Sequence, residues 1–326
     1  MSTPTSLELP DGVRPTTVRT SRGSFAALEA VPVSGVCERE PALLVPGYTG
    51  SKEDFLAVLG QLADHGRQVV AIDMRGQFET PGAADPDGYA PAALAADIAA
   101  VIQATGARHL LGHSYGGLVT RETLLRTRSQ DDIGSFTLMS SGPSALTGPR
   151  AEELRAMFTA LGVAPVAAAS GSSGSSGSSG ADGGLPDRGT LAAGIAGLWR
   201  EYLEPQAVAG GIPAPIVAFL ARRMASNDPY GLVQMARHLL SAPDRTSELA
   251  RLDRFGMLVI YGEDDNSWSP DVQEAMARRL GARRICIPGA SHSPAVEAPA
   301  TTAIALTKFW DAAEAAAAHA GSARMA

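Results

Sequence analysis

RHLLGHSYGGLVT, residues 108–120, is the stretch on which the fold turns. Leu110 and Leu111 form a short apolar run that enters Gly112, and the residues after Ser114, YGGLVTRETLLRT, carry apolar side chains at helical spacing with an early charged face. The order is strand, sharp turn, helix, with Ser114 at the turn in the frame G-H-S-Y-G. A serine there is held in a strained backbone with its hydroxyl presented, and small neighbours are needed because strand and helix approach closely. Gly112 and Gly116 meet that need, and Gly117 adds room. Glycine is 35 of the 326 residues, so the frame by itself is weak and its context carries the reading.

Working outward, short runs rich in Leu, Val and Ile recur along the chain and end in glycine or polar turns. They are PALLVPG, RQVVAIDMRG, RHLLGHS, SFTLMSSG, RFGMLVIYGEDD and RRICIPGASH. We read them as strands buried on both faces, with Cys286 of RRICIPG as a buried strand residue. Amphipathic segments lie between them. In KEDFLAVLGQLADHG, Phe55, Leu56, Leu59 and Leu62 share one helical face, and Ser51 to Asp54 resembles a capping box. Alternation of this kind predicts an α/β fold, a mostly parallel central sheet flanked by helices. TTVRTSRGSFAALEAVP near the start reads as an antiparallel strand pair turning near Gly23.

The alternation stops between about Ser144 and Arg245, where four segments of helical periodicity occur without a convincing strand. An all-helical insertion between two strands predicts a cap. The expected organisation is a core in two parts, residues 1–143 and 246–326, with a helical cap over residues 144–245. Inside the cap, SGSSGSSGSSG at 170–180 has the composition of a flexible linker and is expected to be mobile. The alanine-rich tail after Trp310 predicts a helix end that carries no site.

With 45% apolar and 19% charged residues the chain has the composition of a globular enzyme, and its net charge of −7 argues against a nucleic-acid polyanion or an anionic membrane as partner. No apolar run reaches the length of a membrane span. The first residues, MSTPTSLELPDG, lack a basic start followed by an apolar core, so a cytoplasmic location is expected. Cys37 and Cys286 are far apart, without metal-ligand spacing, and read as free thiols; no metal site is expected.

A serine nucleophile needs a base to take its proton and a carboxylate to orient that base. MLVIY leads into GEDDNSWSP, which puts Asp264 or Asp265 at a strand end, and RRICIPG leads into ASHSPAVEAP, which puts His292 on the next such loop. The order Ser, Asp, His is the one that triads follow on this kind of sheet. His113, beside Ser114, is expected to point the other way along its strand.

With VPGYTGS, DMRG, GHSYGG, GEDD and GASHSP in this order, the chain resembles the α/β-hydrolase superfamily, in a form with an inserted helical cap, over roughly residues 15 to 310. The resemblance favours Asp265, the third residue after the strand-ending glycine, over Asp264. It also implies an oxyanion hole made by the backbone N–H groups of Tyr48 and Tyr115. Two departures stand out: Pro46-Gly47 replaces the frequent His-Gly, and Phe78 stands where a glycine usually follows DMRG.

The resemblance implies a cofactor-free serine hydrolase acting on a small to medium ester or related acyl bond of a small-molecule substrate. Thioester or carbon–carbon bond hydrolysis, perhydrolysis, lyase chemistry or ligand sensing are the alternatives on the same fold. Trp268 on the acid loop and Trp199, Phe219 and Met235 in the cap are candidate pocket walls. Arg75 reads as a structural ion-pair partner.

Overall fold

In the computed structural model the described residues are 2–128, 132–164 and 185–325; the Ser/Gly stretch 170–180 lies outside them. Eight strands form one sheet in the order β1-β2-β4-β3-β5-β6-β7-β8. They are β1 (Val13–Thr20), β2 (Gly23–Ala30), β3 (Arg39–Val45), β4 (Arg67–Ile72), β5 (His109–His113), β6 (Ser135–Met139), β7 (Gly256–Gly262) and β8 (Arg283–Ile287). β1 pairs antiparallel with β2, and β2 antiparallel with β4. The remaining neighbours run parallel. The chain leaves β3 toward β4 on one side and returns to place β5 on the other, so a topological switch point lies between β3 and β5. In open α/β sheets ligands bind in the crevice outside the strand ends at such a point.

Successive residues of the central strands serve opposite faces. Leu43 and Val45 of β3, with Val70, Ile72 and Leu110, join the core packed under α2 (Pro91–Thr105), α3 (Tyr115–Arg126) and the insertion. Leu44, with Val69, Ala71, Leu111 and Ile260, joins the core under α1 (Leu56–Ala63) and α12 (Pro299–Met325). Burial on both faces explains why these strands carry continuous apolar runs. Strand β8 departs from that reading. It is the edge strand, most of its residues reach solvent, and Cys286 is exposed. The tail helix has a structural use, since Glu314 and Asp311 accept hydrogen bonds from the fully buried Arg67, and Glu314 also pairs with His109.

Between β6 and β7 the described residues form helices and no strand. These are α4 (Pro149–Ala160), α5 (Arg188–Leu198), α6 (Glu204–Ala209), α7 (Ala214–Ser226), α8 (Pro229–Ser241) and the short α9 (Thr246–Leu249). A π-helical turn, Trp199–Leu203, joins α5 to α6. After β7 come α10 (Pro270–Leu280) and, after β8, α11 (Pro294–Glu297). The expected capping box is not formed: Ser51 makes no side-chain cap bond, and Lys52–Phe55 is a 3-10 turn. The hydroxyl of Ser51 and the carboxylate of Asp54 instead accept from Arg223 of α7. Among the described residues no helix is long and apolar enough to cross a membrane.

Candidate active site

Ser114 is the residue between β5 and α3, with φ 53° and ψ −119°. A side chain rarely adopts a positive φ, and such a conformation costs on the order of 1–3 kcal/mol. Surrounding contacts hold it: the Ser114 N–H donates to the Met139 carbonyl at 2.8 Å, and the Gly117 N–H donates to the Ser114 carbonyl at 2.9 Å. A Cβ on Gly116 would run into the carbonyl oxygens of Pro46 and Val45, which is why the turn after the serine requires glycine.

His292 lies on the loop between β8 and α11. Its Nε2 is 2.9 Å from Ser114 Oγ, and its Nδ1 is 2.9 Å from Asp265 Oδ1. A carboxylate can only accept, so Nδ1 carries the proton and Nε2 faces the serine hydroxyl as an acceptor. The same Asp265 oxygen accepts from the Ser267 N–H, and Oδ2 accepts from the amide of Gln273, each at 2.9 Å. Burial by itself would push the Asp265 carboxyl up. The hydrogen bond and charge interaction with His292, together with Ser267 and Gln273, outweigh it and hold the group below the ordinary carboxylate value. The adjacent Asp264 is exposed, so the two candidates separate cleanly: Asp265 meets His292 and Asp264 faces solvent.

The turn after β3 stands against the serine. Gly50 N–H closes it on the Gly47 carbonyl, and Thr49 takes the left-handed region at φ 59°. A Cβ on Gly47 would sit 3.0 Å from the Ser114 Cβ. Tyr115 is the first residue of α3, and the N–H groups at a helix start have no intrahelical acceptor. Tyr48 and Ser114 both line a cavity of about 600 Å³ that also reaches Gly47, His113 and His292.

A model of the Alpha/beta hydrolase family matches residues 42–305. The chain belongs to this family. Among solved structures it is similar to a thermophilic esterase from Thermogutta terrifontis at 22% identity, covering 92% of this chain and 99% of that one with TM-score 0.60. It is also similar to a hydrolase from Pseudomonas aeruginosa, at 23% identity, 91% and 98% coverage and TM-score 0.63. An esterase from Exiguobacterium antarcticum gives 17% identity, 91% and 100% coverage and TM-score 0.64. At these identities the likeness is one of fold. No curated protein matches the chain.

In this α/β hydrolase the four expected pocket walls are elsewhere. Trp199, Phe219, Met235 and Trp268 are buried in the core and do not line the cavity. Their bulk is spent on packing: Phe219 meets Phe78 edge-on at 5.5 Å, and the Trp268 indole lies against Gly142 and donates to the Ser144 carbonyl. The walls include the flexible side chains of Leu146, Leu154, Met157, Leu203 and Met224, with Tyr202 beside them.

Three supporting residues were not visible as such in the sequence. His113 does not point away: it lines the cavity and donates from Nε2 to the His292 carbonyl at 2.8 Å. Alternation along a strand says nothing about a loop that folds over the strand's last residue. Burial, then the neighbouring His292, push the His113 imidazole down to about 3, so it stays neutral. Gln77 is buried and donates to the Gly47 carbonyl at 2.8 Å while accepting from the Met74 N–H, which ties the loop after β4 to the turn that carries Tyr48. Gln273 fixes Asp265 and the Trp268 carbonyl together. Phe78 keeps a left-handed backbone at φ 40°, so the loop retains the conformation that a glycine would favour. Arg75 forms the expected ion pair, two bonds to Asp97.

Proposed function

We propose that the protein is a carboxylesterase-like serine hydrolase that cleaves a small to medium ester or related acyl bond. The observation that carries this reading is the continuous relay Asp265–His292–Ser114, with two 2.9 Å links, opening into a largely apolar cavity of about 600 Å³. That size lies within the range of small-molecule sites.

In this reading His292 Nε2 takes the proton of Ser114 Oγ as the oxygen attacks the acyl carbonyl carbon. Asp265 stabilises the imidazolium that results. The Tyr48 and Tyr115 amides receive the negative charge that develops on the carbonyl oxygen, worth roughly 3–4 kcal/mol for a well-placed donor. Collapse of the tetrahedral adduct expels the leaving group, which takes its proton from His292 Nε2 and leaves Ser114 acylated. Water then enters and gives its proton to His292 as it attacks the same carbon; collapse of this second adduct releases the acid, and Ser114 Oγ takes the proton back from His292 Nε2. We assign residues 1–143 and 246–326 to the core that carries these groups and residues 144–245 to a cap that walls the substrate from water.

Hydrolysis of p-nitrophenyl esters of increasing acyl length by the native protein and by Ser114→Ala tests the reading. Turnover lost in the alanine variant supports it. Equal inactivity of both proteins removes ester hydrolysis from the lead.

A further inference from the structure

The segment before β1 has a place that neither its sequence nor the relay explains. It lies along α1 and α11, where Pro4, Thr5 and Pro10 border a small groove with Leu56, Ala57 and Val296. Its beginning reaches the active site: Ser2 is buried and lines the same cavity as Ser114 and His292. The Ser2 hydroxyl is 2.8 Å from the hydroxyl of Ser293, the residue next to His292. The Ser2 carbonyl accepts from Arg223 Nη2 at 2.6 Å.

Arg223 is a costly way to hold a chain segment. It is 0% exposed, on α7 of the insertion, and its other terminal nitrogen donates to Asp54 at 2.7 Å and to Ser51 at 3.4 Å. A buried guanidinium is tolerated when it is paired and its donors are used. Here Nε has no hydrogen-bond partner among the described residues, and the two terminal nitrogens join three parts of the chain: the insertion, the turn before α1 and the N-terminal segment. The clamp therefore fixes Ser2 relative to the cap.

The chemistry of the relay says which part of a substrate meets this wall. The departing atom must come within hydrogen-bond reach of His292 Nε2 to collect its proton, so the group attached to it runs along the His292 side of the cavity. We propose that the N-terminal segment is a specificity-determining wall of the active site, with Ser2, held by Arg223, limiting the size of the alcohol or thiol leaving group. This rests on the serine-hydrolase reading given above.

The test uses butyrate esters of primary alcohols of rising bulk, methyl, butyl, cyclohexylmethyl and naphthylmethyl, whose leaving groups have similar basicity. A variant lacking residues 1–4 opens the wall. Its kcat/KM ratio of naphthylmethyl to methyl ester is expected to rise about tenfold over native, while its profile across methyl esters of different acyl length stays unchanged. Ser2→Trp keeps the backbone carbonyl that Arg223 needs and fills the wall instead. Its ratio is expected to fall about tenfold, which keeps the test open if the shortened chain folds poorly. Stoichiometric labelling by a fluorophosphonate is read on the same samples. If Ser114 is labelled and the leaving-group profiles of both variants superimpose on native, the wall is overturned and the hydrolase reading stands. If native Ser114 is not labelled, the hydrolase reading falls and takes the wall with it.

Discussion

Replacing Asp265 by Asn isolates what the buried carboxylate does. Its three partners, His292 Nδ1–H, the Ser267 N–H and the Gln273 amide, all donate. Ser267 cannot change its role, so an asparagine must keep its oxygen there and turn its NH2 toward Gln273. The Gln273 oxygen, buried without a hydrogen-bond partner, can swing round to accept, but it then faces the Trp268 carbonyl that its nitrogen now serves. One unfavourable contact remains in either arrangement, a cost of about 1–3 kcal/mol in stability. The larger effect is electrostatic. The aspartate and the imidazolium have charge centres roughly 4 Å apart, and at an effective dielectric constant near 20 their attraction is about 4 kcal/mol. Because that charge exists on His292 only after it has taken the Ser114 proton, its loss is felt in the transition state. Asp265→Asn should therefore lower kcat about a thousandfold with KM within about threefold of native. Steady-state hydrolysis of p-nitrophenyl butyrate, with calorimetry to establish that the variant is folded, makes the measurement. A folded variant that keeps kcat within about tenfold of native would refute the reasoning.

Three further outcomes are expected. Gln77→Leu leaves the Gly47 carbonyl and the Met74 N–H without their partner and loosens the Tyr48 turn, so kcat/KM should fall about 10- to 100-fold; ester kinetics beside an unchanged far-ultraviolet circular dichroism spectrum decide it. Ser114→Gly relieves a positive φ at the cost of a freer unfolded chain, so the inactive variant should be about 1 kcal/mol more stable than Ser114→Ala; urea unfolding compares the two. Burial holds His109 and His238 down to about 4, against about 6.5 in the unfolded chain, so between those values the unfolded state binds more protons and stability falls as pH falls. Each histidine adds up to about 1.4 kcal/mol per pH unit, and denaturant midpoints that do not move between pH 7 and pH 5 would contradict this.

The parallel sheet was legible because its strands are buried on both faces, which forces runs such as Leu43 to Val45 and Leu110 to Leu111 to be apolar throughout. Strand β8 shows where that signal stops: RRICI is apolar enough to be taken for a central strand, yet its place at the sheet edge exposes Cys286, and sheet order is not written in local composition. The residues that converge at the site were legible because the turns after β3, β5, β7 and β8 each carry a glycine and a polar group at the strand end. The stretch between β6 and β7 was legible only as helices. Large side chains drew attention as pocket walls, but Trp199, Phe219, Met235 and Trp268 bury their area in the core, and Leu146, Leu154, Met157 and Tyr202 face the cavity. Gln77 and Ser2 contact segments distant in sequence, and Gln273 reaches back from α10 to the loop before it; no periodicity marks such contacts.

The central claim is that Ser114 is a nucleophile activated by His292. Intact-mass measurement after exposure to a fluorophosphonate tests it without any assumption about the natural substrate. The account predicts one adduct per chain, mapped to Ser114, absent in Ser114→Ala and formed far more slowly in His292→Ala. A folded native protein that takes up no adduct, or one labelled as fast without His292 as with it, would contradict the account.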